Sequence, residues 1–159
     1  MDIVTLSDRF EFYATDNEDI GHVGGDKKNT AYLECDVEEI QAAIKNGLKL
    51  PCVLLQTPDF DKDGDADNIT EHLQCSFLVL ESLKPGDRKF PTYDRCKKIA
   101  DQFVNHLVQD ADEFFEGALP KTSEGRIGPL TDNLYGWAVN FSLDAGYDGT
   151  LDPTKWRTL

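Results

Sequence analysis

The chain carries a run of alternating aspartates near its middle, in the segment PDFDKDGDADNITE. The first part of this segment matches the opening of the calcium-loop pattern D-x-[DN]-x-[DN]-G. In that pattern alternate carboxylates converge on one hard cation, and the glycine permits a sharp turn. The matching residues are Asp59, Asp61, Asp63 and Gly64. Their types and spacing indicate calcium coordination as the first chemistry to consider.

The remainder of the calcium-loop pattern does not fit this segment. The twelfth position counted from Asp59 is normally a bidentate glutamate, whereas here it is Thr70, and Glu71 comes one residue late. The flanking runs, 52–57 and 73–81, are apolar and of strand length, whereas the calcium loop joins two amphipathic helices. The sequence therefore predicts that the acidic tract is the solvated tip of a long β-hairpin.

Two uses of this acidic tip remain open. Clustered carboxylates attract divalent cations without forming a cage, so a calcium-binding interaction module using the loop 59–71 is the alternative function. Weak metal-binding candidates are Asp59, Asp61, Asp63 and Asp65. The same loop and two aromatic residues near the C-terminus are candidates for a subunit interface. These interface candidates are Asp59, Asp61, Asp63, Asp65, Asp67, Tyr147 and Trp156.

The charge balance excludes some classes of partner. The chain has 159 residues, with 16 basic against 30 acidic side chains and a formal net charge of -14. A surface of that charge repels nucleic-acid phosphates. Three small basic clusters, at 27–28, 95–98 and 155–157, are expected to be solvated. A DNA-mimicking inhibitor is a further possibility, although the carboxylates are dispersed rather than spaced like phosphates.

Catalytic and membrane signatures are not found in the sequence. The four cysteines lie far apart and form no C-x-x-C pair, which predicts reduced, buried thiols. The three histidines, His22, His72 and His106, have no metal-ligand or catalytic spacing. No signal-peptide pattern and no run of roughly 18 apolar residues is present. We therefore expect neither an enzyme, nor a cofactor, nor a membrane protein.

Periodicity places the remaining elements. Ser7 is expected to cap a short helix, and the D-x-x-E spacing at Asp36 predicts a second short helix over 37–46. Apolar residues at three- and four-residue steps predict a long helix from about Thr92. A second hairpin is predicted from the strand 124–130 and the alternation of Trp137, Val139, Phe141 and Leu143.

This order of elements predicts the fold class and the domain organisation. We expect an α+β fold in which one short and one long helix pack on one face of an antiparallel sheet with a long β-hairpin. Residues 1–35 are expected to form a partly irregular N-terminal segment. Residues 36–144 would form a single α+β domain, and residues 145–159 an extended tail.

Four segments together carry a family resemblance that covers residues 36–144. They are EEIQAAIKNGLKLPCVLLQTPDF, HLQCSFLVLES, YDRCKKIADQFVNHLV and GPLTDNLYGWAVNFSL. This succession resembles the small tail-completion, tail-terminator or neck-ring proteins of tailed bacteriophages. In that family a helix, a long hairpin, a crossing helix and a closing pair of strands form a wedge-shaped α+β subunit.

The resemblance implies a structural virion protein without catalytic residues. It would assemble in the host cytoplasm as a homo-oligomeric ring, the head–tail connector, between the capsid portal and the tail. Its neighbours would be neck, portal or tail proteins, and phage DNA would pass through the ring without specific binding.

Overall fold

A computed structural model describes residues 2–65, 68–130 and 133–147, and these contain four helices and a six-stranded sheet. The helices are α1 (Ile3–Asp16), α2 (Ile40–Lys45), α3 (Lys89–Gln109) and α4 (Ala111–Phe114), and a 3₁₀ turn at Val37–Glu39 precedes α2. The strands are β1 (Tyr32–Glu34), β2 (Cys52–Leu55), β3 (Asp59–Asp65), β4 (Asn68–Ser82), β5 (Lys121–Leu130) and β6 (Leu134–Gly146). The predicted α+β class is confirmed.

The sheet is mixed rather than purely antiparallel, which corrects one detail of the prediction. Its strands follow the order β1-β2-β4-β6-β5. β1 and β2 are parallel, with Tyr32 opposite Val53, because the chain crosses over through α2 before it returns as β2. β3 lies beyond β2 along the same edge of β4, so β4, with 15 residues, pairs with three other strands.

The first helix is longer than predicted and is capped by another residue. The carboxylate Oδ1 of Asp2 accepts a hydrogen bond from the backbone N–H of Val4 at 3.2 Å, which satisfies one free donor of the first turn. The hydroxyl of Ser7, the predicted cap, instead donates to Glu34 on β1. Phe10 and Tyr13 lie on the buried side of α1.

Four phenylalanines join the two long helices to the sheet. Phe10 of α1 packs against Phe77 of β4, with ring centroids 5.2 Å apart, and Phe103 of α3 lies 5.8 Å from Phe77. Phe141 of β6 completes the cluster, 5.9 Å from Phe10. All four side chains are buried. α1 and α3 therefore lie on one face of the sheet, so the helical layer contains two long helices instead of the predicted one.

The two predicted hairpins are present, but the acidic tract is not a loop. β5 pairs with β6, in which Val139 and Phe141 are buried and Asn140 between them is exposed. The acidic tract forms β3 and pairs with β4 from Asp59 opposite Gln74 onward. Residues 66–67, which follow β3 in the predicted tip, lie outside the described residues.

Residues 17–31 contain no helix or strand, yet they contribute buried side chains. Nδ1 of His22 accepts hydrogen bonds from the backbone N–H groups of Ala31 and Tyr32 at 3.1 and 3.2 Å. The predicted tail is described only as far as Tyr147. None of the helices in the described part of the chain is long and apolar enough to cross a membrane.

Candidate functional site

β3 presents four aspartates on a single face of the sheet. Because side chains alternate along a strand, all the odd-numbered residues of β3 point to the same side. These residues are Asp59, Asp61, Asp63 and Asp65, and all four are exposed. Lys62 points to the opposite side, where its Nζ lies 3.7 Å from Oε1 of Glu71. We call residues 59–65 and 68–74 the acidic arm.

The strand geometry does not gather these carboxylates around one ion. Alternate residues of a strand lie about 6.7 Å apart, whereas calcium takes six or more oxygens at about 2.3–2.6 Å. No three His, Cys, Asp or Glu side chains within the described ranges could together hold a metal ion. Gly64 has another explanation, because its φ is +122° and a Cβ there would lie 2.1 Å from the carbonyl oxygen of Asn68. The close approach of β3 and β4 therefore requires this glycine.

A charged network continues the acidic face across the sheet. His72 of β4 lies between Asp61 of β3 and Asp144 of β6, and its Nδ1 is 2.8 Å from Oδ1 of Asp144. Lys121 of β5 donates to the other carboxylate oxygen of Asp144. Two hydrogen bonds lower the pKa of Asp144 below its ordinary value. The one from His72 has the larger effect, and the one from Lys121 comes second. The network is a partly exposed set of hydrogen bonds that links three strands.

Polar residues line a shallow concavity next to this network. The concavity has a volume of about 580 Å³, and its lining includes Gln74, Ser76, Lys121, Ser123, Asn140 and Ser142. The hydroxyl of Ser76 donates to Oδ1 of Asn140 at 2.6 Å. This serine is therefore held by an amide rather than by a general base, and the surface offers hydrogen bonds rather than an activated nucleophile.

A second cleft, of about 600 Å³, lies at the opposite end of the sheet. It is formed by the start of α3, the end of β5 and the start of β6. Its lining residues are Arg88, Lys89, Phe90, Tyr93, Arg126, Gly128, Pro129 and Tyr135, and we call this set the basic cleft. Among the residues that the structure describes, no acidic side chain lines it.

The cations of the basic cleft have no carboxylate partner within the described part of the chain. Arg88, Lys89 and Arg126 form no ion pair there. Nζ of Lys89 lies 5.4 Å from the ring centroid of Tyr135. Phe90 is 74% exposed, the highest value among the large apolar side chains that the structure describes. Within the described ranges, the cleft thus combines positive charge that has no ion-pair partner with a largely exposed aromatic ring.

The structure describes most, but not all, of the predicted interface residues. Asp59, Asp61, Asp63 and Asp65 lie together on the acidic arm, whereas Asp67 and Trp156 lie outside the described residues. Tyr147 packs against the arm, because Nζ of Lys62 lies 3.4 Å from its ring centroid and its backbone N–H donates to the carbonyl of Ile69. The structure therefore brings Tyr147 and the aspartates to the same end of the molecule.

The basic cleft could not be predicted from the sequence. The one local signal is the run Arg88-Lys89-Phe90, in which a basic pair precedes an aromatic residue. Arg126 and Tyr135 come from other elements and join the site only through the pairing of β5 with β6. A basic pair in a turn is common, so this run alone does not indicate a site.

Neither a search of protein-family models nor a search of curated proteins gives a match to this chain.

Proposed function

We propose that the protein is a structural subunit of the head–tail connector ring of a tailed bacteriophage, through which the phage DNA passes. The observation that carries this proposal is the acidic arm, a hairpin with four exposed aspartates on one face. A ring subunit needs surfaces that reach its neighbours and needs no catalytic centre. The neighbours in the particle would be copies of this chain and other neck, portal or tail proteins.

Acidity suits a conduit for DNA. The net charge of -14 gives a surface that repels phosphates, so DNA can slide past it without specific contacts. The acidic face of β3 and the ion-paired network at His72 and Asp144 lie on the same side of the sheet. In the proposed ring the acidic surface that is not used in subunit contacts faces the lumen.

The calcium-binding alternative receives less support from the geometry. The aspartates of β3 lie in a row along an extended strand, and Gly64 is required by the hairpin itself. Calorimetric titration of the purified protein with calcium tests this alternative directly. Saturable heat at sub-millimolar calcium, absent in D61N/D63N, would favour a calcium module over the ring subunit.

The connector proposal is tested on purified tailed particles from the strain that encodes the chain. We expect mass spectrometry to detect the protein in several copies per particle. Deletion of its gene should leave filled heads and tails that fail to join, as seen by negative-stain microscopy. Particles that lack the protein, or a deletion that leaves intact particles, would refute the proposal.

A further inference from the structure

We infer that the acidic arm of one copy docks into the basic cleft of the next copy. This inference rests on the proposed ring and specifies which two surfaces join its subunits. The arm offers four exposed carboxylates on one face, and the cleft offers three cations without a carboxylate partner in the described part of the chain. Complementary charge steers such surfaces together and sets their register.

The two surfaces lie at opposite ends of the longest strand. Asp61 of the arm pairs with His72 of β4, whereas Tyr135 of the cleft pairs with Glu81. The stretch of β4 from His72 to Glu81 spans roughly 30 Å at about 3.3 Å per residue. The arm therefore cannot reach the cleft of its own chain. A contact between different patches of successive copies is heterologous, the type of contact that generates rings.

The chemistry of the cleft fits an extended acidic strand. The guanidinium groups of Arg88 and Arg126 can each bind a carboxylate through two parallel hydrogen bonds. Phe90 provides an uncovered apolar ring beside them, against which the backbone and methylene groups of an arriving strand can pack. Nucleic acid is a poorer occupant, because phosphates that approach the cleft are repelled by the acidic remainder of the chain.

Disulfide trapping between two single-cysteine variants tests the contact. All four native cysteines are buried, so an engineered surface thiol reacts alone. Tagged D61C and untagged R126C are mixed at high protein concentration under mild oxidation, and the mixed disulfide dimer is quantified on a non-reducing gel. The matched control is D61C with K28C, because Lys28 is an exposed lysine outside the cleft. We expect about five-fold more mixed dimer with R126C than with K28C.

Charge reversal provides the second part of the test. Adding D63K to the D61C protein, or K89E to the R126C protein, should lower the yield of mixed dimer about five-fold. Combining the two altered proteins should restore it, because the charges are then complementary in the opposite sense. Equal yields with R126C and K28C, or no recovery on combining the two charge reversals, would overturn the inference.

The outcomes separate the docking contact from the connector function. If the protein is found in particles and its deletion blocks head–tail joining, but D61C does not couple to R126C, the docking inference fails and the proposed function stands. If D61C couples to R126C as expected but the protein is absent from particles, the proposed function fails and the contact stands as self-association of the chain.

Discussion

The phenolic oxygen of Tyr13 lies 2.7 Å from Oδ2 of Asp110, to which it donates a hydrogen bond across 97 residues of sequence. Nε of Arg9 donates to the same carboxylate oxygen at 2.8 Å. Asp110 lies between α3 and α4, so these bonds connect the first helix to the end of the longest one. The guanidinium group of Arg9 also lies 4.2 Å from the ring centroid of Phe114.

Replacing Asp110 should destabilise the fold. D110A leaves the partly buried guanidinium of Arg9 and the hydroxyl of Tyr13 without their acceptor, at a cost of about 2–3 kcal/mol in the free energy of unfolding. D112A removes an exposed carboxylate two residues away and should change that free energy by less than about 0.5 kcal/mol. Urea denaturation monitored by circular dichroism measures both. Equal effects of the two variants would contradict a stabilising role for the hydrogen bonds that connect α1 to Asp110.

Stability should fall at alkaline pH. Burial is the largest cause that raises the pKa of Tyr13 and of Tyr32 far above the ordinary value of 10.0. For Tyr13, the hydrogen bond to Asp110 is the second cause. A neutral phenol whose pKa is raised by folding stabilises the native state fully below about pH 10, and this contribution is lost as the pH rises further. Burial also raises the pKa of the Cys35 thiol to about 11 and that of the Cys96 thiol to about 12, which adds to the loss above pH 9.

The phenol contribution can be separated by mutation. Y32F cannot ionise at this position, so the free energy of unfolding should fall less steeply between pH 10 and pH 11.5 in Y32F than in the wild type. Urea titrations at a series of pH values measure the slope. A slope that is unchanged in Y32F would show that Tyr32 does not contribute to the alkaline loss.

Two strand glycines should differ strongly in how well they tolerate substitution. A Cβ on Gly136 of β6 would lie 2.0 Å from the carbonyl oxygen of Val79, so G136A should cost at least about 3 kcal/mol or prevent folding. Gly125 of β5 has no atom within 4 Å of such a Cβ, and G125A should change stability by less than about 1 kcal/mol. Denaturation midpoints compare the pair. A well-folded, stable G136A would contradict the close packing of β4 and β6.

The ion pairs around Asp144 should be visible in its titration. H72Q removes the largest cause of the lowered pKa, so the pKa of Asp144 should rise toward its ordinary value of 3.8. K121Q should raise it as well, but less. Because folding lowers this pKa, the stabilisation is present above about pH 3.8 and is lost as the pH falls through the lower folded value. Carboxyl-carbon NMR of Asp144 measures this pKa. A larger increase in K121Q than in H72Q would show that Lys121, and not His72, is the main cause of the lowered pKa.

Helices and strands in which apolar residues repeat at a regular spacing could be predicted from the sequence. The apolar spacing of α3 located the longest helix, although it starts at Lys89 and not near Thr92, because Pro91 is tolerated in the first turn. The alternation around Phe141 located β6. In both elements the residues that form the core also form the pattern.

Elements whose stability comes from partners could not be predicted. β3 reads DFDKDGD, a composition with little intrinsic strand preference, and it is a strand because β4 pairs with its backbone. β1 has three residues, too few to show any period. The basic cleft joins Lys89, Arg126 and Tyr135 from three elements, so its composition appears only after folding.

The one-sided charge of β3 also restricts how the acidic arm can change in length. Inserting one residue after Phe60 would exchange odd and even positions, and the aspartates beyond it would move to the face that holds Lys62 and Tyr147. Inserting two residues would keep every carboxylate on its present side. We therefore expect natural variants of this chain to lengthen or shorten the arm in steps of two.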